Sequence, residues 1–182
     1  MFKEILSTLI ELFLIFVFVF IPIRLFIFEP FIVIGESMKP NFDESDYLIV
    51  CKICTKLKKP ERFEVIVFIP PVDKKKYYIK RIIGLPNEKV IIKDNNIFIL
   101  KPNSSQPIKI SEPYLKGERF YMEDTEFSLG SDEYFVLGDN RDESFDSRKW
   151  NKPLKEKDIV GKVIFKVGLF KKLINILRPN NI

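Results

Sequence analysis

The feature that most limits what this chain can become is an apolar run near its start. From Ile5 to Phe28 almost every residue is Ile, Leu, Phe or Val. As a helix that stretch would extend about 36 Å, more than the ~30 Å of bilayer hydrocarbon. It reads as a single N-terminal transmembrane α-helix. Its charged residues, Glu11 and Arg24, would lie about 20 Å apart along such a helix, each close enough to an interface to reach headgroups. A cleavable signal peptide is the competing reading, and Gly35-Glu36-Ser37 even supplies a small-x-small pattern, but the run exceeds a signal core of about 7–15 residues. A chain of 182 residues then divides into an anchor over 1–28 and one folded domain over 29–182.

Beyond the anchor there is little helix-forming material, because the chain has no alanine. Short apolar runs separated by turn signals predict an all-β domain of mainly antiparallel sheet: Tyr47 to Val50, Phe63 to Ile69, Tyr77 to Ile83, Lys89 to Ile92, Ile97 to Leu100, Tyr134 to Leu137 and Ile159 to Val167. Lys93-Asp94-Asn95-Asn96 is a hairpin turn, since Asp and Asn tolerate positive φ. Residues 101–132, with Pro102, Pro107 and Pro113, read as long loops with minor strands. The tail from Gly168 to Arg178 has Phe170, Leu173, Ile174 and Leu177 at helical spacing and reads as packing against the domain, with a membrane-surface helix as the alternative.

Three stretches carry chemistry. The first is Gly35-Glu36-Ser37-Met38-Lys39-Pro40, a serine on a turn after the extended segment Phe31 to Ile34. A serine nucleophile needs a base, and the chain has no histidine, which excludes every Ser-His-Asp arrangement. The remaining base near neutral pH is a desolvated lysine. Tyr77-Tyr78-Ile79-Lys80-Arg81-Ile82-Ile83-Gly84 supplies one: alternation puts Lys80 on one strand face between Tyr78 and Ile82, where it can be buried. An exposed lysine is neutral in only about one molecule in 2,500 at pH 7, and burial removes that handicap.

The third stretch, Gly138 to Arg148, reads as a polar loop stitched by Asx turns at Asp139 and Asn140 and by ion pairs among Arg141, Asp142, Asp146 and Arg148. A calcium loop fails: counted from Asp139, Arg141 falls at the third position, Ser144 where glycine is needed and Trp150 where a bidentate Glu belongs.

Together, Ser37-Met38-Lys39-Pro40, Tyr78-Ile79-Lys80-Arg81-Ile82-Ile83-Gly84-Leu85-Pro86 and Gly138 through Arg148 resemble the motifs of bacterial type I signal peptidases, membrane-bound serine endopeptidases that remove signal peptides from exported preproteins. The resemblance implies Ser37 as nucleophile, Lys80 as general base and Ser144 as a hydroxyl that hydrogen-bonds and orients the lysine. It implies an oxyanion donor in the backbone N–H of Ser37; where part of the family carries a hydroxyl two residues earlier, Gly35 stands here. Asp146, Arg148 and Arg81 become structural supports, and Met38, Phe42, Tyr78 and Ile79 walls of pockets for small side chains before the cut. It also implies an outward-facing domain, which the charge bias of Lys3 and Glu4 alone does not decide. This chain departs from the family at Asn41, at Ser45, Phe63 and Asn87, where glycine is usual, and at neighbouring loop residues.

No cofactor or metal is called for. Cys51 and Cys54 form a C-x-x-C, but zinc needs four ligands, and Val50-Cys51 continues a strand rather than opening a helix. They are expected as free thiols or one incidental disulfide. The net charge of +5 lies entirely in residues 29–182 and suits an anionic bilayer surface; no nucleic-acid module appears. The partners are therefore preproteins and the bilayer. A non-catalytic, membrane-tethered binding relative is the alternative, against which the intact Ser37, Lys80 and Ser144 argue.

Overall fold

The computed structural model describes residues 2–115, 117 and 120–167. The expected helical spacing from Gly168 to Arg178 lies outside the described residues. At the N-terminus, α1 (Phe2–Ile15) continues into two π-helical turns, Phe16–Phe20 and Ile23–Ile27. This corrects the expectation of one uninterrupted transmembrane α-helix from Ile5 to Phe28. At 14 residues, α1 is only about 21 Å long, and no helix among the described residues is long and apolar enough to cross a membrane. The local cause is in the sequence: Phe16-Val17-Phe18-Val19-Phe20 crowds aromatic and β-branched side chains against the preceding turn, and Pro22 has no N–H to donate. Ile21 N–H bonds instead to the Phe16 carbonyl, five residues back.

The rest is antiparallel sheet. A seven-stranded sheet takes the order β1 (Phe28–Ile32), β2 (Tyr47–Cys51), β11 (Ile159–Val167), β3 (Val65–Phe68), β4 (Tyr78–Gly84), β9 (Glu133–Leu137) and β10 (Leu154–Lys155). A four-stranded sheet takes the order β7 (Ile108–Lys109), β6 (Asn96–Leu100), β5 (Lys89–Lys93) and β8 (Thr125–Ser128). The strands β2 to β6, β9 and β11 fall where the apolar runs predict them. β3 sits at the centre of its sheet and is buried at every position, which is why it reads as an unbroken apolar run. β5 and β6 instead bury alternate residues, Val90 and Ile92 against Ile97 and Ile99. Their connection is the expected hairpin, with Asp94 at φ 48° and Asn95 at φ 60°, the left-handed pair that matches strand twist.

The four-stranded sheet is an excursion between β4 and β9, which are themselves neighbours. Its neck is closed by two backbone bonds, Asn87 N–H to the Gly130 carbonyl at 3.1 Å and Leu129 N–H to the Glu88 carbonyl at 2.9 Å. Below the neck, Val90, Ile92, Ile97 and Ile99 pack on Ile83, Phe135 and Leu137 in one cluster. Cys51 ends β2, Cys54 opens the short α2 (Cys54–Leu57), and the two are joined as a disulfide.

Candidate active site

Three segments distant in sequence meet at Ser37. The first is the turn after Val33. Gly35 adopts φ 88°, a conformation that costs a residue without Cβ little, and it turns the chain so that Ser37 follows half-buried. Met38 anchors the turn in the core at 1% exposure. The loop closes on itself through Ser45 N–H to the Val33 carbonyl and Val33 N–H to the Asp46 carbonyl, both 2.9 Å.

The second is β4. Its pairing with β3 sets Lys80 opposite Ile66. Lys80 is 3% exposed; its Nζ donates to Ser37 Oγ at 2.6 Å and to the Ile79 carbonyl at 2.9 Å. Burial lowers its pKa from 10.5 to about 8, against the opposing pull of Asp146 and Asp139 and with a smaller push from Arg148. On the other face of β4, Arg81 grips Asp139 through Nε to Oδ1 at 2.8 Å and Nη2 to Oδ2 at 2.6 Å, donates to the Phe63 carbonyl, and lies over the Tyr114 ring.

The third is the loop between β9 and α3 (Ser147–Trp150). Asp146 caps α3 through Arg148 N–H, accepts Gly138 N–H at 3.0 Å, and holds the Arg148 guanidinium through two bonds of 2.8 Å. Arg148 in turn donates to the Arg141 carbonyl at 2.7 Å. Asn140 joins this loop to the serine turn: its N–H donates to the Ser37 carbonyl at 3.1 Å and its Nδ2 to the Glu36 carbonyl at 3.2 Å. The approach is so close that a Cβ on Gly138 would overlap both Ser144 Oγ and the Ser37 carbonyl oxygen.

The Ser37 and Lys80 side chains open on a cleft of about 650 Å³. Phe31 to Ile34, Leu48, Val67 and Tyr77 to Ile79 form its apolar walls, and Glu36, Lys76, Glu143 and Phe145 complete its lining.

Comparison with known proteins shows the family. A profile described as signal peptidase, peptidase S26, matches residues 6–168. The chain belongs to the signal peptidase family, peptidase S26. It is a serine endopeptidase of that family. Signal peptidase I P of Bacillus subtilis subsp. natto is 37% identical over 168 residues, covering 87% of this chain and 83% of the relative. Signal peptidase I of Bacillus caldolyticus is 36% identical over 162 residues, covering 82% and 84%. The crystal structure of a signal peptidase I from Enterococcus faecalis V583 superposes with a TM-score of 0.50 at 31% identity, over 59% of this chain and 98% of that one.

Within this peptidase S26 chain, the expected site residues fall into two groups. Ser37, Lys80, Gly35, Arg81, Asp146 and Arg148 converge as described, and Tyr78 and Ile79 line the cleft. Three expectations are corrected. Ser144 Oγ does not bond Lys80: it is buried without a hydrogen-bond partner, turned toward Gly138, while Lys80 donates to Ser37 and Ile79. Met38 is in the core and Phe42 packs beside Val33, Leu48 and Val50, so neither lines the cleft. Arg141 pairs with Glu112 rather than with Asp142 or Asp146.

Sequence reasoning missed Glu112, Tyr114 and Asn41. Tyr114 O–H donates to Glu112, and Asn41 Nδ2 donates to Asp139 Oδ2 and to the Tyr114 carbonyl, both at 2.9 Å. No motif or periodicity marks these residues. The exposed apolar alternation of Ile32 and Ile34 is the one signal that could have pointed to the cleft wall.

Proposed function

We propose that this serine endopeptidase removes signal peptides from exported preproteins by a Ser37–Lys80 dyad. The observation that carries the reading is the 2.6 Å contact between Lys80 Nζ and Ser37 Oγ at a lysine whose pKa falls to about 8. At pH 7 about one such lysine in ten is neutral, roughly 250-fold more than for an ordinary lysine. The neutral amine accepts the Ser37 proton as Oγ attacks the scissile carbonyl. Ser37 N–H donates no hydrogen bond among the described residues and is free to hold the oxyanion; Gly35 contributes no side-chain donor. Protonated Lys80 then passes its proton to the departing amine, and Lys80, neutral again, takes a proton from the water that attacks and releases the acyl group. Arg81, Asp146 and Arg148 hold the loop against the serine turn, and small side chains before the cut occupy the cleft beside Tyr78 and Ile79.

The N-terminal apolar segment, with Leu9, Phe13, Phe18 and Phe26 exposed, tethers the domain to the bilayer on its outer face, where exported preproteins arrive. The test is cleavage of a labelled preprotein by the purified full chain in detergent. Wild type cleaves and Ser37→Ala, folded by circular dichroism, does not; equal turnover by both would overturn the dyad.

A further inference from the structure

Resting on the proposed roles of Ser37 and Lys80, we infer that Glu143 selects substrates by charge, favouring a basic and disfavouring an acidic residue among the first two after the scissile bond.

The loop between β9 and α3 sorts its side chains. Asp139, Arg141, Ser144 and Asp146 are buried and brace it, whereas Glu143 and Phe145 project outward and line the cleft. The cleft has four charged residues in its lining, and three are accounted for. Glu36 pairs with Lys39 at 2.6 Å, Lys76 pairs with Asp73 at 3.2 Å, and Lys80 is the buried amine on Ser37. Glu143 makes no ion pair among the described residues, so its carboxylate is the unpaired negative charge of the lining.

Its position is tied to the serine. Glu143 N–H donates to Asn140 Oδ1 at 3.3 Å, and Asn140 N–H donates to the Ser37 carbonyl. A peptide with its scissile carbonyl at Ser37 lays its apolar part along Phe31 to Ile34 and Tyr77 to Ile79, the walls without charge. In the proposed register the chain beyond the scissile bond passes Glu143. There a carboxylate meets a like charge in a partly dehydrated cleft, while an ammonium or guanidinium meets its complement.

The test uses the full chain in detergent and peptides that differ only in carrying Lys, Gln or Glu at the first or second position after the cut. In the wild type kcat/KM should favour Lys over Glu by roughly two- to tenfold, carried by KM, since an exposed ion pair is worth a few-fold in affinity. Glu143→Gln should bring the ratio to about one, Glu143→Lys should invert it, and 0.5 M NaCl should compress it in the wild type. A purely structural effect of either variant would scale all peptides together and leave the ratio unmoved. A wild type that cleaves all three peptides equally, or a ratio unchanged in both variants, overturns charge selection alone. A wild type that cleaves none overturns the signal-peptidase reading with it.

Discussion

Lys80→Met removes the ionisable group at nearly constant volume and measures directly how much burial of the lysine costs. Lys80 is 3% exposed, and its pKa falls from 10.5 to about 8, first because burial disfavours the ammonium. Between those values the unfolded chain binds the extra proton, so wild-type stability rises with pH across this window, and the penalty is complete below pH 8. At 1.36 kcal/mol per decade the penalty is about 3 kcal/mol at pH 7 and about 1 kcal/mol at pH 10. Met also forgoes the bonds to Ser37 Oγ and the Ile79 carbonyl, each worth about 1 kcal/mol. The variant should therefore be more stable than wild type by roughly 1 kcal/mol at pH 7, and its advantage should fall by about 2 kcal/mol by pH 10. Guanidinium titrations of both proteins in one detergent at the two pH values read this difference, in which all other titrations cancel. An advantage that fails to shrink between pH 7 and 10 would show that Lys80 is charged and solvated in the folded protein, and would remove the base from the mechanism.

Gly138→Ala should abolish preprotein cleavage, because the added methyl overlaps Ser144 Oγ and the Ser37 carbonyl; near wild-type kcat would contradict the close approach. Asp139→Asn should lower stability by about 3 kcal/mol, measured by denaturant titration, because it leaves the Arg81 guanidinium largely buried without its bidentate partner. Ser144→Ala should leave the denaturation midpoint unchanged or raise it by up to about 1 kcal/mol in stability, since it deletes a buried hydroxyl with no partner; a clear loss would mean that the hydroxyl is hydrogen-bonded.

What could be read from the sequence was what local pattern dictates. Short apolar runs between turn signals placed the strands, and the absence of histidine together with the flanks of Lys80 led to the lysine whose Nζ lies 2.6 Å from Ser37 Oγ. Turn chemistry was legible less directly. Ser45, Phe63 and Asn87 stand where the motif resemblance leads one to expect glycine, and all three have positive φ, at 67°, 70° and 63°. The backbone shape is kept while the residue best suited to it is not, and for Phe63 the packing against Tyr114 and the Ile83 cluster offsets the strain. Long-range polar pairing was not legible. Arg141 finds Glu112 across 29 residues of sequence rather than the acidic neighbours beside it, because the loop turns Arg141 inward while leaving Asp142 exposed. The fate of the apolar run was also beyond composition, since hydropathy measures length but not the π-turns that Phe16 to Phe20 and Pro22 introduce.

The closed neck between Asn87 and Gly130 means that the four-stranded sheet hangs from the peptidase sheet as a handle hangs from a door. Its two ends are already a turn's width apart, so insertions and deletions beyond the neck leave the β4–β9 register, and with it Lys80, undisturbed. Complete excision is a different matter. It would strip the cover from Ile83, Phe135 and Leu137 and remove Glu112 from beneath Arg141. Changes of length are thus tolerable in the grip of the handle but not at the plate that holds it.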